Sequence, residues 1–140
     1  MELAEALDLA HGRTQGILVT IGREGRPQLS NIGYAMDDQG VARISTTAAT
    51  VKVRNRRRDP RCSLYVGGDH FFQSVVLDGS AQLSAVAEES HDEVVETLVR
   101  IYHAISGDHP DWNDFRTAMV GDRRLVVSVR PEHAYGMLST

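Results

Sequence analysis

The sequence predicts a mostly-β fold with peripheral helices: a six-stranded antiparallel barrel occupying residues 1–140 as a single domain. Three observations lead there. Six short apolar or β-branched stretches recur along the chain, most joined by brief Gly- and Asp-rich connections. The helical patterns sit at the start, in the middle and late in the chain, outside the strand runs. Six strands leave exposed edges unless the sheet closes on itself, and closure removes them. A Greek-key sandwich is the competing architecture.

Residues 2–11 place Leu3, Leu7 and Ala10 at helical spacing, with Gly12 as a stop. Residues 16–21 read as a buried strand. Arg23-Glu24-Gly25-Arg26 turns the chain into a return strand over 28–36, with Pro27 at its start because proline donates no ladder hydrogen bond. A second turn, Asp37-Asp38-Gln39-Gly40, leads to a strand over 41–45, so these three strands are expected to form a meander. Residues 46–59 come next, ended by Pro60, and within them 48–58 are helix-compatible. A strand over 61–66, a Gly67-Gly68-Asp69 loop and a long strand over 72–85, bent at Gly79, come next. Ser90-His91-Asp92-Glu93 has the form of a capping box. Behind it Val94, Val95, Leu98, Val99, Tyr102 and Ile105 make an apolar helical stripe that stops at Gly107. Residues 110–120 form a short helix with Trp112, Phe115 and Met119 on one side, and 124–130 is the last core strand.

Composition narrows the function. The chain is 41% apolar and 24% charged, which excludes a disordered or collagen-like protein. Its net charge of -4 argues against a nucleic-acid binder. One cysteine, Cys62, rules out an internal disulfide framework and fits a reducing, cytoplasmic setting; on a buried strand it reads as a core residue. The first residues show no signal pattern, and no apolar run is long enough to span a membrane. The six histidines show no metal-ligand spacing, so no metal site is expected. No nucleophile elbow, P-loop or dinucleotide fingerprint is present.

Of the 15 basic residues, 14 are arginine, and Lys52 is the single lysine. It lies in the most informative block of the chain. Ser45, Thr46, Thr47 and Thr50 supply hydroxyls at a helix entry, and Lys52, Arg54, Asn55, Arg56, Arg57, Arg58 and Arg61 follow. Unpaired N–H groups at a helix start, with hydroxyls and cations beside them, suit phosphate. A solvated arginine-rich helix face fits the same pattern. In the second block, Gln28 and Ser30 share a strand face and could line a groove or simply meet solvent. Phe71 and Phe72 sit at a loop-to-strand corner.

Together these blocks resemble the pyridoxamine-5'-phosphate-oxidase-like split β-barrel superfamily, and within it the mycobacterial-type branch that uses the deazaflavin coenzyme F420. The matching stretches are Gly25-Arg-Pro-Gln-Leu-Ser-Asn31, Lys52-Val-Arg-Asn-Arg-Arg-Arg-Asp-Pro-Arg61, Gly79-Ser-Ala-Gln-Leu83, His109-Pro-Asp-Trp-Asn-Asp114 with Arg116-Thr-Ala-Met119, Asp122-Arg-Arg-Leu125 and His133-Ala-Tyr-Gly136. The resemblance implies a homodimer with cofactor sites at the subunit interface. It implies Lys52 as the main phosphate cation, with Ser45, Thr47, Asn55 and Arg58 as secondary contacts. Pro27, Gln28, Ser30 and Asn31 would border the tricyclic ring, and Phe71 and Phe72 would come from the partner subunit. The activity implied is hydride transfer from reduced F420 to an unsaturated small molecule, with water, Tyr34 or Tyr135 supplying the proton. An FMN-dependent flavoprotein and a non-catalytic F420 carrier are the alternatives. Arg130-Pro-Glu-His-Ala-Tyr-Gly136 stands where pyridoxamine-phosphate oxidases carry an arginine-rich motif, which departs from that substrate.

Overall fold

The computed structural model describes residues 1–139. In chain order the elements are α1 (Leu3–His11), β1 (Gln15–Ile21), β2 (Pro27–Gly33), β3 (Ala35–Met36), β4 (Ala42–Thr47), α2 (Val51–Arg58), β5 (Arg61–Gly67), β6 (Ser74–Leu83), α3 (Glu93–Ser106), α4 (Trp112–Gly121) and β7 (Arg124–Met137). The strands make one antiparallel sheet in the order β2-β1-β5-β6-β7-β4-β3. Its two outermost strands, β2 and β3, are neighbours in the chain, separated only by Tyr34. β2 pairs with β1, from Ile21↔Pro27 to Gln15↔Gly33, while β3 pairs with β4 at Ala35↔Arg43 and Met36↔Ala42. One bent segment therefore joins both ends of the sheet and curls it into a barrel.

This resolves the strand count. The expected strand over 28–36 exists but is broken in two, giving seven strands rather than six. The break has a cause. Tyr34 is fully buried, its hydroxyl donates to the Ala10 carbonyl at 2.5 Å, and its N–H donates to the Thr14 carbonyl at 2.8 Å. The expected meander forms with its middle strand split: β2 pairs with β1 and β3 with β4. β4 turns away from β2 and pairs with β7, from Ala42↔Val129 to Thr47↔Arg124.

Inside the barrel Leu18, Ile44, Leu64, Val66, Val75, Leu77, Leu125, Val127 and Val129 are buried, and Cys62 joins them as expected. Ala6 and Ala10 of α1 close one end, and Val53 of α2 closes the other. A second apolar layer lies outside the barrel, where Val126 of β7 packs under Val95, Leu98 and Ile101 of α3 and Phe115 and Met119 of α4. β7 is thus covered on both faces, as its alternation requires: Leu125, Val127 and Val129 point in, Val126 points out.

Several element boundaries differ from expectation, among them the end of β7, which runs to Met137 rather than 130. α3 is capped by Asp92, not Ser90. One Asp92 oxygen accepts from the Val95 N–H at 2.9 Å, and the other from Glu88 and Glu89 at 3.0 and 3.1 Å. A carboxylate outcompetes the hydroxyl because it serves both the helix start and the loop before it. α2 ends at Arg58 as expected but starts at Val51 rather than 48, because 47–50 form a turn closed by the Thr50 N–H on the Thr47 carbonyl. The bend expected at Gly79 is a bulge between Asp78 and Gly79, where the Arg130 carbonyl leaves no room for a Cβ. Among the described residues no helix is long and apolar enough to cross a membrane.

Candidate functional site

Strand β4 alternates cleanly. Ala42, Ile44 and Thr46 face the core, so Arg43, Ser45 and Thr47 face outward. The register sets Thr47 opposite Arg124, with Ser45 opposite Val126. Arg124 Nη1 reaches across to the Ser45 hydroxyl at 3.4 Å. Its Nε is shut off from solvent and has no hydrogen-bond acceptor. The carboxylate of Asp122 stops at 3.9 Å, outside hydrogen-bonding reach.

Lys52 enters the same neighbourhood on the first turn of α2. Its ammonium is half-buried, and desolvation together with the nearby Arg124 guanidinium holds its pKa below the ordinary lysine value. Arg124 thus touches Ser45, stands opposite Thr47 in the ladder and acts electrostatically on Lys52, with the Asp122 carboxylate 3.9 Å away and not hydrogen-bonded to it. That donor set fits a phosphate: the guanidinium offers a fork, the ammonium a compact charge, and the hydroxyls short polar contacts. Arg124 was not among the residues singled out from sequence. Its signal lay in the alternation of 124–129, which puts it on the outward face beside Thr47.

The other expected site residues divide into groups. Asn55 is only 1% exposed and turned inward. Its Nδ2 donates to the Thr20 hydroxyl at 3.1 Å, and its Oδ1 accepts from Arg58. Both side chains are engaged in fastening α2 to β1 rather than offered to a ligand. On β2, Gln28 and Ser30 share a face and hydrogen-bond at 3.4 Å, and Thr20 donates to Gln28 at 3.3 Å. A polar chain Ser30–Gln28–Thr20–Asn55 thus links β2 to α2. Pro27 and Asn31 lie on the opposite face of β2, exposed, so the four residues do not line one surface. Phe71 and Phe72 stack edge-on at 4.9 Å and are 85% and 68% exposed. They follow the end of β5 opposite to the end where α2 enters it, roughly 20 Å away along a seven-residue strand.

The two tyrosines named as proton sources separate. Tyr34 is sealed in the core with its hydroxyl bound to Ala10, and burial pushes its pKa up to about 12. It cannot reach a substrate. Tyr135 is exposed on β7. Beside the cation pair, a crevice of about 400 Å³ runs between β4, α3 and α4, lined by Ser45 and Arg124 together with Ile101, Tyr102, Phe115 and Met119.

The family model for pyridoxamine 5'-phosphate oxidase matches residues 3–138. The chain belongs to the pyridoxamine 5'-phosphate oxidase family. Its curled antiparallel sheet is the split-barrel fold of that family, with the extra strand explained by the break at Tyr34. Among solved structures, a conserved hypothetical protein from Mycobacterium tuberculosis is 27% identical with a TM-score of 0.72, over 96% of this chain and 82% of that one. An F420 reductase is 19% identical with a TM-score of 0.70, over 91% of this chain and 94% of that one. A heme storage protein from Vibrio cholerae is 15% identical with a TM-score of 0.66, over 96% and 87%. At those identities the last two are similar in fold, and their named ligands belong to them.

Proposed function

We propose that this family member is an F420-dependent reductase, in which the bound deazaflavin supplies hydride to an electron-poor, unsaturated small molecule. The observation that supports it most is Arg124, held at the Ser45 hydroxyl with its Nε unpaired and close enough to Lys52 for its charge to be felt. Lys52, Ser45 and Thr47 hold the cofactor phosphate. The β2 face carrying Gln28 and Ser30 orients the ring, its side chains fixed by Thr20. The proton comes from water or Tyr135, since Tyr34 is locked away.

The reading includes a homodimer. By register, Ile17, Val19, Leu29, Tyr65, Val76 and Tyr135 lie on one outer face of the sheet, and Leu29 and Tyr135 are exposed there. A second copy covering that face would bring Phe71 and Phe72 towards its partner's site. FMN would use the same cations, and the F420-branch stretches favour the deazaflavin over it. A non-catalytic F420 carrier is the second reading, favoured by the sealing of Tyr34.

Titration of the purified protein with F420 and with FMN, followed by oxidation of reduced F420 over a panel of enones, quinones and tetrapyrroles, tests this. F420 binding and turnover of one acceptor are expected. Tight FMN binding without F420 binding removes the deazaflavin reading, and F420 binding without any turnover establishes the carrier.

A further inference from the structure

The His109-Pro-Asp-Trp segment is prominent in the sequence, yet the cofactor reading gives it no task. It joins α3 to α4 and is pinned on both sides. Gly107 ends α3 with φ +80°, and the Asp111 carboxylate caps α4 by accepting from the Asp114 N–H at 3.1 Å. Between these anchors the Asp111 N–H donates to His109 Nδ1 at 3.0 Å. A neutral imidazole that accepts at Nδ1 carries its proton on Nε2. The ring is held in that orientation by Tyr102, Trp112 and Phe115, at centroid distances of 5.2, 5.7 and 5.5 Å. Among the described residues Nε2 meets no acceptor.

His109 forms one wall of the crevice of about 400 Å³ between β4, α3 and α4, beside Tyr102, Phe115, Ile101 and Met119. Small-molecule sites have volumes of that order, are mostly apolar, and carry a few placed polar groups. The aromatic rings around it already meet edge to face: Tyr102 with Trp112 at 85° and Trp112 with Phe115 at 82°. A further flat ring continues that pattern, and the Met119 thioether adapts to its edge. The Asp114 carboxylate lies on the same lining and disfavours an anion at this end, so the acceptor that meets Nε2–H is a neutral one. We infer that the crevice is a binding site for a neutral aromatic carbonyl compound of one or two rings. His109 Nε2–H donates to the carbonyl oxygen, and Tyr102, Phe115 and Met119 hold the ring. The site needs neither Lys52 nor a bound cofactor.

Trp112 is the single tryptophan of the chain, so its indole gives one side-chain N–H signal, and Met119 reports from within the lining. The test titrates the protein with 1-acetonaphthone and, separately, with naphthalene, following the Trp112 indole and Met119 methyl NMR signals. Both probes are expected to shift these signals saturably, with the naphthalene midpoint about two- to tenfold higher because it lacks the acceptor. In His109→Phe, which keeps a ring in the stack, the two midpoints converge. In Ala118→Phe, which adds a side chain on the crevice wall, both responses are lost. No saturable shift in the wild type, equal midpoints for the two probes there, or a response that survives Ala118→Phe overturns the inference. Should His109→Phe fail to fold, the comparison of the two probes on the wild type and the Ala118→Phe result decide it.

Discussion

Arg116 and Arg124 stand eight residues apart, flank the same helical layer, and are used in opposite ways. Arg116 forks onto Glu96 at 2.6 and 3.2 Å and adds the Ser90 carbonyl at 3.0 Å, tying α4 to α3 and to the loop before it. Arg124 reaches a single hydroxyl at 3.4 Å and leaves Nε unpaired. Arg116 has its donors satisfied by the fold and holds it together. Arg124 has donors left over: the Asp122 carboxylate stops 3.9 Å from Nε, and the positive charge of Lys52 is close enough to be felt. The contrast teaches that a guanidinium's role is read from what it lacks as much as from what it touches.

The sharpest way to break this contrast is on its open side. Lys52→Ala removes a charge-assisted contact worth roughly 1.5–3 kcal/mol, so affinity for a phosphate-bearing cofactor falls about ten- to a hundredfold while the melting temperature hardly moves. Equilibrium titration of the variant checks it, and unchanged affinity takes Lys52 out of the site. Ser45→Ala removes one neutral hydroxyl, and a loss of about two- to tenfold is expected in the same titration. An effect as large as that of Lys52→Ala would mean that Ser45 positions the whole fork. Arg116→Met should leave cofactor affinity alone and lower the melting temperature instead. The bond from Arg116 holds the Glu96 carboxyl below its ordinary value of 4.5. The contribution of the pair is therefore present above that value and lost as pH falls through the lowered one, so the melting curves of wild type and variant converge in acid. A cofactor affinity that follows Arg116 would erase the distinction.

Local patterns made much of this molecule legible. The β1–β2 hairpin, the bulge at Gly79, the α3 stripe ending at Gly107 and the burial of Cys62 all follow from nearest neighbours in the chain. Partners far along the chain were not legible. β4 meets β7 across about eighty intervening residues, and no local feature of 41–45 announces that pairing. The same distance hid Arg124, whose importance comes from residues 45, 47 and 52 rather than from its own surroundings in sequence. The polar block 45–61 was visible as a phosphate candidate. Which of its residues turn inward was not, because the Asn55 position is set by Thr20 on another strand.

The break at Tyr34 bears on how the barrel moves. β3 is fastened to β4 by only two residue pairs, whereas β6 and β7 share ten. Opening at this seam would leave the long ladders intact and cost the least of any, since free energies of local opening follow the number of bonds and contacts released. The resistance comes from the phenol of Tyr34, which α1 grips through Ala10. A short N-terminal helix thereby anchors the joint between β2, which carries Gln28 and Ser30, and β3, which meets β4.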